Sequence, residues 1–188
     1  MVALSRKKAD IDSMNEIGKI LFDDVAIAEK VQELGGRISR DYAGKEPIVV
    51  SILKGAVIFT TDLVRSISCP LTVEFIQASS YGMSTNASGN VTLKKDLEAD
   101  IEGRHVLLVD TIIDTGTTFA YLMKMLSERK PASLNAVVLL DKSCRRLVDV
   151  PVMYRGFEIP DAFVVGYGLD FKERYRNLPY IAALEADR

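Results

Sequence analysis

Val106 to Val109 form four consecutive apolar residues, and Asp110 to Thr118 then run through acids, a glycine and hydroxyls into a pattern of helical spacing. An apolar run of this kind, with two valines, suits a strand covered on both faces rather than one half in water. Phe119, Leu122, Met123 and Leu126 recur at the spacing of a single helix face. Between strand and helix, Thr115-Gly116-Thr117-Thr118 offers free N–H groups at a helix N-terminus and three hydroxyls, a combination that favours a phosphate dianion. Asp114 conflicts with that use. A carboxylate beside a phosphate is electrostatically unfavourable unless it serves a metal, a sugar hydroxyl or a proton transfer. Taken alone, the segment leaves Asp114 the plainer role of helix N-cap.

The rest of the chain repeats the alternation of strand and helix. Asp24 to Tyr42 carries Val25, Ile27, Ala28, Val31, Leu34 and Ile38 at helical positions, with an irregularity expected at Gly35-Gly36. Ile48 to Leu53 reads as a buried strand and Ala56 to Ile67 as the following helix, with further strands at Val73 to Ala78 and Ala136 to Leu140. This order predicts an α/β chain, a mainly parallel sheet flanked by helices. Ligands of such sheets sit at the carboxyl ends of the strands, where Lys54-Gly55, Asp110 to Thr118 and Asp141-Lys142 all fall.

Composition narrows the classes. At 188 residues and 48% hydrophobic content the chain has material for one substantial core. A net charge of −2 gives no basic footprint, so nucleic acid is not the expected partner. With no long apolar run and no secretory pattern in the sequence, neither membrane span nor signal peptide is predicted, and the expectation is a cytoplasmic protein. Cys69 and Cys144 are isolated and read as reduced thiols. His105, the single histidine, excludes a multi-histidine zinc site and reads as a strand-end residue. Ser79 to Asn90 is small, polar and glycine-containing, and reads as a movable lid or an ordinary hairpin tip.

Four separated motifs then resemble one family. They are Leu53-Lys-Gly55, Ser79-Ser-Tyr81, the Asp110 to Thr118 loop, and Asp161-Ala-Phe-Val-Val-Gly-Tyr-Gly-Leu-Asp170 with Arg174-Tyr-Arg176. The chain is similar in these to the hypoxanthine-guanine phosphoribosyltransferases over most of its length. The resemblance implies the type I phosphoribosyltransferase fold as a single domain, with a core over about residues 20–150. A small hood lobe would come from the N-terminal segment and about residues 151–188. It also implies Mg2+-dependent transfer of 5-phosphoribosyl from phosphoribosyl pyrophosphate to N9 of hypoxanthine or guanine, giving IMP or GMP and pyrophosphate in purine salvage. A homodimer or homotetramer is expected.

By the same resemblance, Asp114 would handle the proton on purine N7 and stabilise positive charge on purine and ribosyl ring. Thr115, Gly116, Thr117 and Thr118 would hold the 5'-phosphate, and Lys142 would donate to purine O6, favouring oxo over amino purines. Phe163 would stack on the base and the Val164 backbone read its edge. Asp170 would hold Mg2+ through oxygen, and Arg176 with Lys54 and Gly55 would take the pyrophosphate, Leu53–Lys54 being a candidate cis peptide. Ser80 and Tyr81 in the lid would cover the migrating ribosyl cation.

One departure stands out. The family's usual Glu-Asp at the start of the ribose-phosphate loop is here Asp110-Thr111. Both positions are expected to meet the ribose hydroxyls and the metal's waters. Exchanging a charged for a neutral hydrogen-bond partner predicts ribose binding weakened by several-fold to about 100-fold. Thr111→Asp would then recover affinity. Two other classes stay open on sequence alone: a phosphoribosyl-binding regulator of RNA or DNA, and a generic nucleotide-binding domain, although no G-x-G-x-x-G or lysine-bearing phosphate loop occurs.

Overall fold

The computed structural model of the chain describes residues 17–80 and 91–185. Its elements, in order, are β1 (Ile17–Phe22), α1 (Asp24–Asp41), β2 (Ile48–Ile52), α2 (Val57–Arg65), β3 (Thr72–Ser80), β4 (Val91–Lys95), β5 (His105–Ile113), α3 (Thr117–Ser127), β6 (Ser133–Asp141), β7 (Val152–Glu158), β8 (Val164–Val165) and β9 (Ile181–Leu184). A six-stranded sheet runs β4-β3-β2-β5-β6-β7. Every pairing in it is parallel except β3 with β4.

The apolar run of β5 is buried on both faces because helices cover both. Leu107 and Val109 point into a cluster with Ile27, Val31, Leu34 and Ile38 of α1 and Phe59 and Leu63 of α2. Val106 and Leu108 point the other way, against Phe119, Leu122 and Leu126 of α3. Successive strand residues alternate faces, so each of these side chains leaves water, at about 1.5 to 3 kcal/mol apiece. Among the described residues no helix is long and apolar enough to cross a membrane.

Helix α1 starts where Asp23 accepts a hydrogen bond from the Ala26 N–H at 2.8 Å, a cap worth about 1 kcal/mol. It runs through Gly35-Gly36 without the expected irregularity. Gly35 serves packing instead: a Cβ there would come within 2.5 Å of Ser66 Cβ, so its absence lets α1 and α2 close up. Val25, placed on the apolar stripe from sequence, is 60% exposed. Two residues are about 200° of helical turn, which carries Val25 away from the face of Ile27.

Where the hood is expected lies a separate three-stranded sheet, β1-β9-β8, built from the two ends of the described chain. Its boundary differs from expectation. Residues 152–158, assigned to the hood from sequence, pair as β7 with β6 at the edge of the large sheet, Ala136 opposite Val152 and Leu140 opposite Phe157. The alternation of buried and exposed residues in that stretch is compatible with either sheet, and only the pairing decides.

Candidate active site

The parallel register sets the carboxyl ends of β2, β5 and β6 side by side, with Ile113 opposite Asp141. At the ends of β2 and β5 opens a crevice of about 430 Å³ whose walls include Lys54, Gly55, Asp110, Asp114, Thr115, Gly116, Thr118, Asp170 and Arg176; Lys142, at the end of β6, stands beside it and not in its lining. A larger cavity, about 570 Å³, lies between α1, α2 and Asn177–Pro179. It contains no phosphate-type loop, and the chemistry converges on the smaller one.

The loop from β5 to α3 turns at Gly116, whose φ of 84° lies in the left-handed region open to glycine. A Cβ there would also stand 2.7 Å from the Val148 carbonyl. Gly116 itself occupies the N-cap position and no side chain caps the helix, so Asp114 is not the cap. Thr115 Oγ1 lies 3.3 Å from Thr117 Oγ1, and both hydroxyls border the N-terminus of α3, whose partial positive charge suits an anion.

Asp114 faces two cations. Its Oδ2 lies 3.6 Å from Lys142 Nζ, and its Oδ1 lies 3.2 Å from Arg145 Nε. Oδ1 is shielded from solvent, with the Arg145 guanidinium against it. Lys142 is 4% exposed, and its backbone N–H donates to the Ile113 carbonyl at 3.0 Å, which ties the end of β6 to that of β5. Arg145 also reaches Asp161 Oδ1 at 3.2 Å.

Behind this pair Asp141 is fully buried, held by Arg146 and by Arg155 Nε at 2.8 Å. Arg146 also donates to the Asp114 carbonyl at 3.2 Å. The sequence expectations leave out Arg145 and Arg146 and give Asp161 a place in a motif without a role; the Arg145-Arg146 pair three residues after Lys142 is the signal that points to the first two.

On the opposite wall, Leu53–Lys54 is a cis peptide. Lys54 Nζ pairs with Glu173 Oε2 at 3.0 Å, and the same oxygen lies 3.4 Å from Arg176 Nη2. Arg176 Nη2 also meets Asp170 Oδ1 at 2.8 Å, while Asp170 Oδ2 accepts the Glu173 N–H at 2.9 Å. Lys172 and Glu173, both at positive φ, shape this turn. Glu173, absent from the sequence expectations, thus sets a carboxylate between the two cations assigned to an anion. Lys54 beside it holds its carboxyl below the usual range.

Asp110 and Thr111 diverge. Asp110 lines the crevice, and burial pushes its carboxyl up to about 7 against the lowering effect of the Thr111 and Ile112 N–H groups. The Thr111 N–H donates to Asp110 Oδ1 at 2.7 Å. Thr111 does not reach the crevice as expected. Its side chain is fully buried and its hydroxyl donates to the Gly55 carbonyl at 3.0 Å, because neighbouring strand residues face opposite ways. Phe163 is 54% exposed and meets Phe171 edge-on at 5.7 Å, and Val164 is buried in β8. Ser80 closes β3, paired with Val91; Tyr81 and the remainder of the expected lid lie outside the described residues.

A model of the phosphoribosyl transferase domain matches residues 18–172. The hypoxanthine-guanine phosphoribosyltransferase of Bacillus subtilis (strain 168) is 46% identical over 171 residues, 91% of this chain and 95% of that protein. The bifunctional protein TilS/HprT of Listeria monocytogenes serotype 4b (strain F2365) is 46% identical over 92% of this chain, which spans only 27% of that protein's length. Among solved structures, a hypoxanthine phosphoribosyltransferase from Staphylococcus aureus superposes with a TM-score of 0.90 at 42% identity, over 95% of this chain and 97% of that one.

Proposed function

The chain belongs to the phosphoribosyl transferase family, among its hypoxanthine-guanine phosphoribosyltransferases, and from that premise we propose that it transfers 5-phosphoribosyl from phosphoribosyl pyrophosphate to N9 of hypoxanthine or guanine. The products are IMP or GMP and pyrophosphate, and the role is purine salvage. The observation that carries this reading is the Asp114–Lys142 pair at 3.6 Å, at the ends of adjacent strands, with Asp114 on the wall of a crevice that holds a phosphate-type loop.

Asp114 takes the proton that leaves purine N7 as the N9–C1' bond forms, and its charge stabilises the cationic ribosyl ring. Its place on the crevice wall beside Lys142 supports that role. Lys142 donates to O6; an ammonium has donors and no acceptor, so adenine's amino group finds no partner there. Phe163, half in solvent, offers a ring face to the base, and Val164 a backbone edge. Thr115, Gly116, Thr117 and Thr118 receive the 5'-phosphate, Asp110 a ribose hydroxyl, and Lys54, Gly55 and Arg176 the pyrophosphate.

Mg2+ would neutralise the diphosphate, and Asp170 fits it: a hard oxygen donor on the crevice wall, with the substrate's own phosphates completing the shell. No cluster of three or more His, Cys, Asp or Glu that could hold a metal occurs among the described residues. We extend the proposal to a homodimer or homotetramer acting in the cytoplasm, without nucleic acid or membrane.

The test mixes the protein with Mg2+, phosphoribosyl pyrophosphate and each of hypoxanthine, guanine, xanthine and adenine, following nucleotide formation by absorbance. Turnover of hypoxanthine and guanine without adenine supports the reading. No oxopurine nucleotide, or adenine turned over equally well, refutes it.

A further inference from the structure

We infer that Thr111 is a positioning residue for the pyrophosphate loop and not a ligand of the ribose; the inference rests on the function proposed above. Its side chain is fully buried and its hydroxyl donates to the Gly55 carbonyl at 3.0 Å, across 56 residues of sequence. Gly55 ends the loop that leaves β2 and enters α2, with the Ala56 N–H bonded to the Ile52 carbonyl and the Thr60 N–H to the Ala56 carbonyl. Gly55 is half-buried on the crevice wall, and its carbonyl takes its donor from the buried Thr111 hydroxyl.

The same carbonyl is the contact point of a third loop. Gly168, at a φ of +96°, passes so close that a Cβ on it would stand 2.2 Å from the Gly55 oxygen. Gly168 in turn accepts from Arg176 Nη1 at 2.8 Å, and Arg176 pairs with Asp170 at 2.8 Å. One carbonyl therefore joins the loop after β2, the strand before the phosphate cradle, and the segment carrying Asp170 and Arg176. The Thr111 hydroxyl orients the Gly55 peptide, and with it the Lys54-Gly55 backbone that lines the crevice. The base side of the site, with Lys142 and Phe163, shares none of these contacts.

An acid at this position would help nothing. An ionised carboxylate accepts and does not donate, so beside the Gly55 carbonyl it faces another acceptor, and a protonated one only replaces the donor that Thr111 already supplies. Restoring the family's acid therefore brings no gain, against the expectation raised by sequence.

The experiment compares wild type with Thr111→Ser, Thr111→Val, Thr111→Ala and Thr111→Asp. It measures KM for phosphoribosyl pyrophosphate and for hypoxanthine, pyrophosphate binding by calorimetry with Mg2+, and thermal unfolding. Loss of one neutral hydrogen bond predicts pyrophosphate binding and KM for phosphoribosyl pyrophosphate weakened about five-fold in the Val and Ala proteins, with KM for hypoxanthine within about two-fold of wild type. Ser, which keeps the donor, stays within about two-fold, and Asp gains nothing. Ala, smaller than Thr, brings no new clash and serves if Val does not fold.

An active wild type whose Val and Ala variants bind pyrophosphate unchanged, or whose Asp variant binds tighter, overturns the positioning role alone. Equal weakening toward hypoxanthine also overturns it, since that marks general damage. A wild type that neither turns over oxopurines nor binds pyrophosphate overturns the proposed function and the inference together.

Discussion

Replacing Arg146 with methionine removes a guanidinium from beneath the candidate site while keeping most of its apolar bulk. Asp141 is fully buried, and Arg146, with a side chain 15% exposed, is its better-shielded partner. Breaking a buried ion pair from one side costs about 3 to 5 kcal/mol, because the remaining charge is left without compensation. Here Arg155 Nε stays 2.8 Å from the other carboxylate oxygen, but its side chain is 48% exposed and offsets only part of the loss. The net expectation is about 2 to 3 kcal/mol of stability. For a chain of 188 residues this lowers Tm by about 5 to 10 °C.

Thermal unfolding followed by circular dichroism reads the shift directly. The shift should persist between low and high salt, since a pair without water around it is little screened. A double-mutant cycle with Asp141→Asn isolates the pair: once the carboxylate is gone, losing Arg146 should cost about 1 to 3 kcal/mol less than it does in wild type. Arg146 also donates to the Asp114 carbonyl at 3.2 Å, so kcat should fall at temperatures well below the transition. A Tm within 2 °C of wild type (roughly half a kcal/mol), or strict additivity in the cycle, would refute the reasoning.

Three further outcomes follow from the site. Asp114→Asn should lower kcat by at least about 100-fold while KM for either substrate moves far less, the signature of a group acting in proton transfer, and steady-state kinetics giving equal kcat in the two proteins would refute it. Glu173→Gln should improve affinity for phosphoribosyl pyrophosphate up to a few-fold, because the carboxylate bridging Lys54 and Arg176 competes with the diphosphate, and the gain should shrink at high salt; calorimetry finding weaker binding would count against it. Burial raises Asp110 from about 3.8 to about 7, so the folded state holds a proton that the unfolded chain has released. Its contribution to stability is full below about pH 4 and is lost as pH rises through about 7. Denaturant unfolding at pH 5 and pH 8 should therefore show a smaller pH-dependent loss in Asp110→Asn than in wild type, and equal losses would rule this out.

Much of the molecule was determined by sequence alone, wherever the cause is local. The run Val106 to Val109 is apolar on both alternating faces, which only a doubly covered strand satisfies, and β5 is that strand. Gly116 had to turn the chain before Thr117, and the phosphate-type loop follows from backbone chemistry over a few residues. The strand-end position of Lys54, Asp114 and Lys142 followed from the alternation of elements, since a parallel sheet puts all such ends on one edge.

Tertiary structure decided what depends on partners far along the chain, which no spacing encodes. Residues 152–158 could satisfy their burial pattern in either sheet, and pairing with β6 placed them in the large one. Lys54 and Glu173 meet across 119 residues, and Asp141 meets Arg155 only once β6 and β7 are side by side. Thr111 is the plainest case. Its residue type suggested a weakened ribose contact, but one step along a strand reverses the direction of a side chain, and the fold set the Gly55 carbonyl where that side chain points.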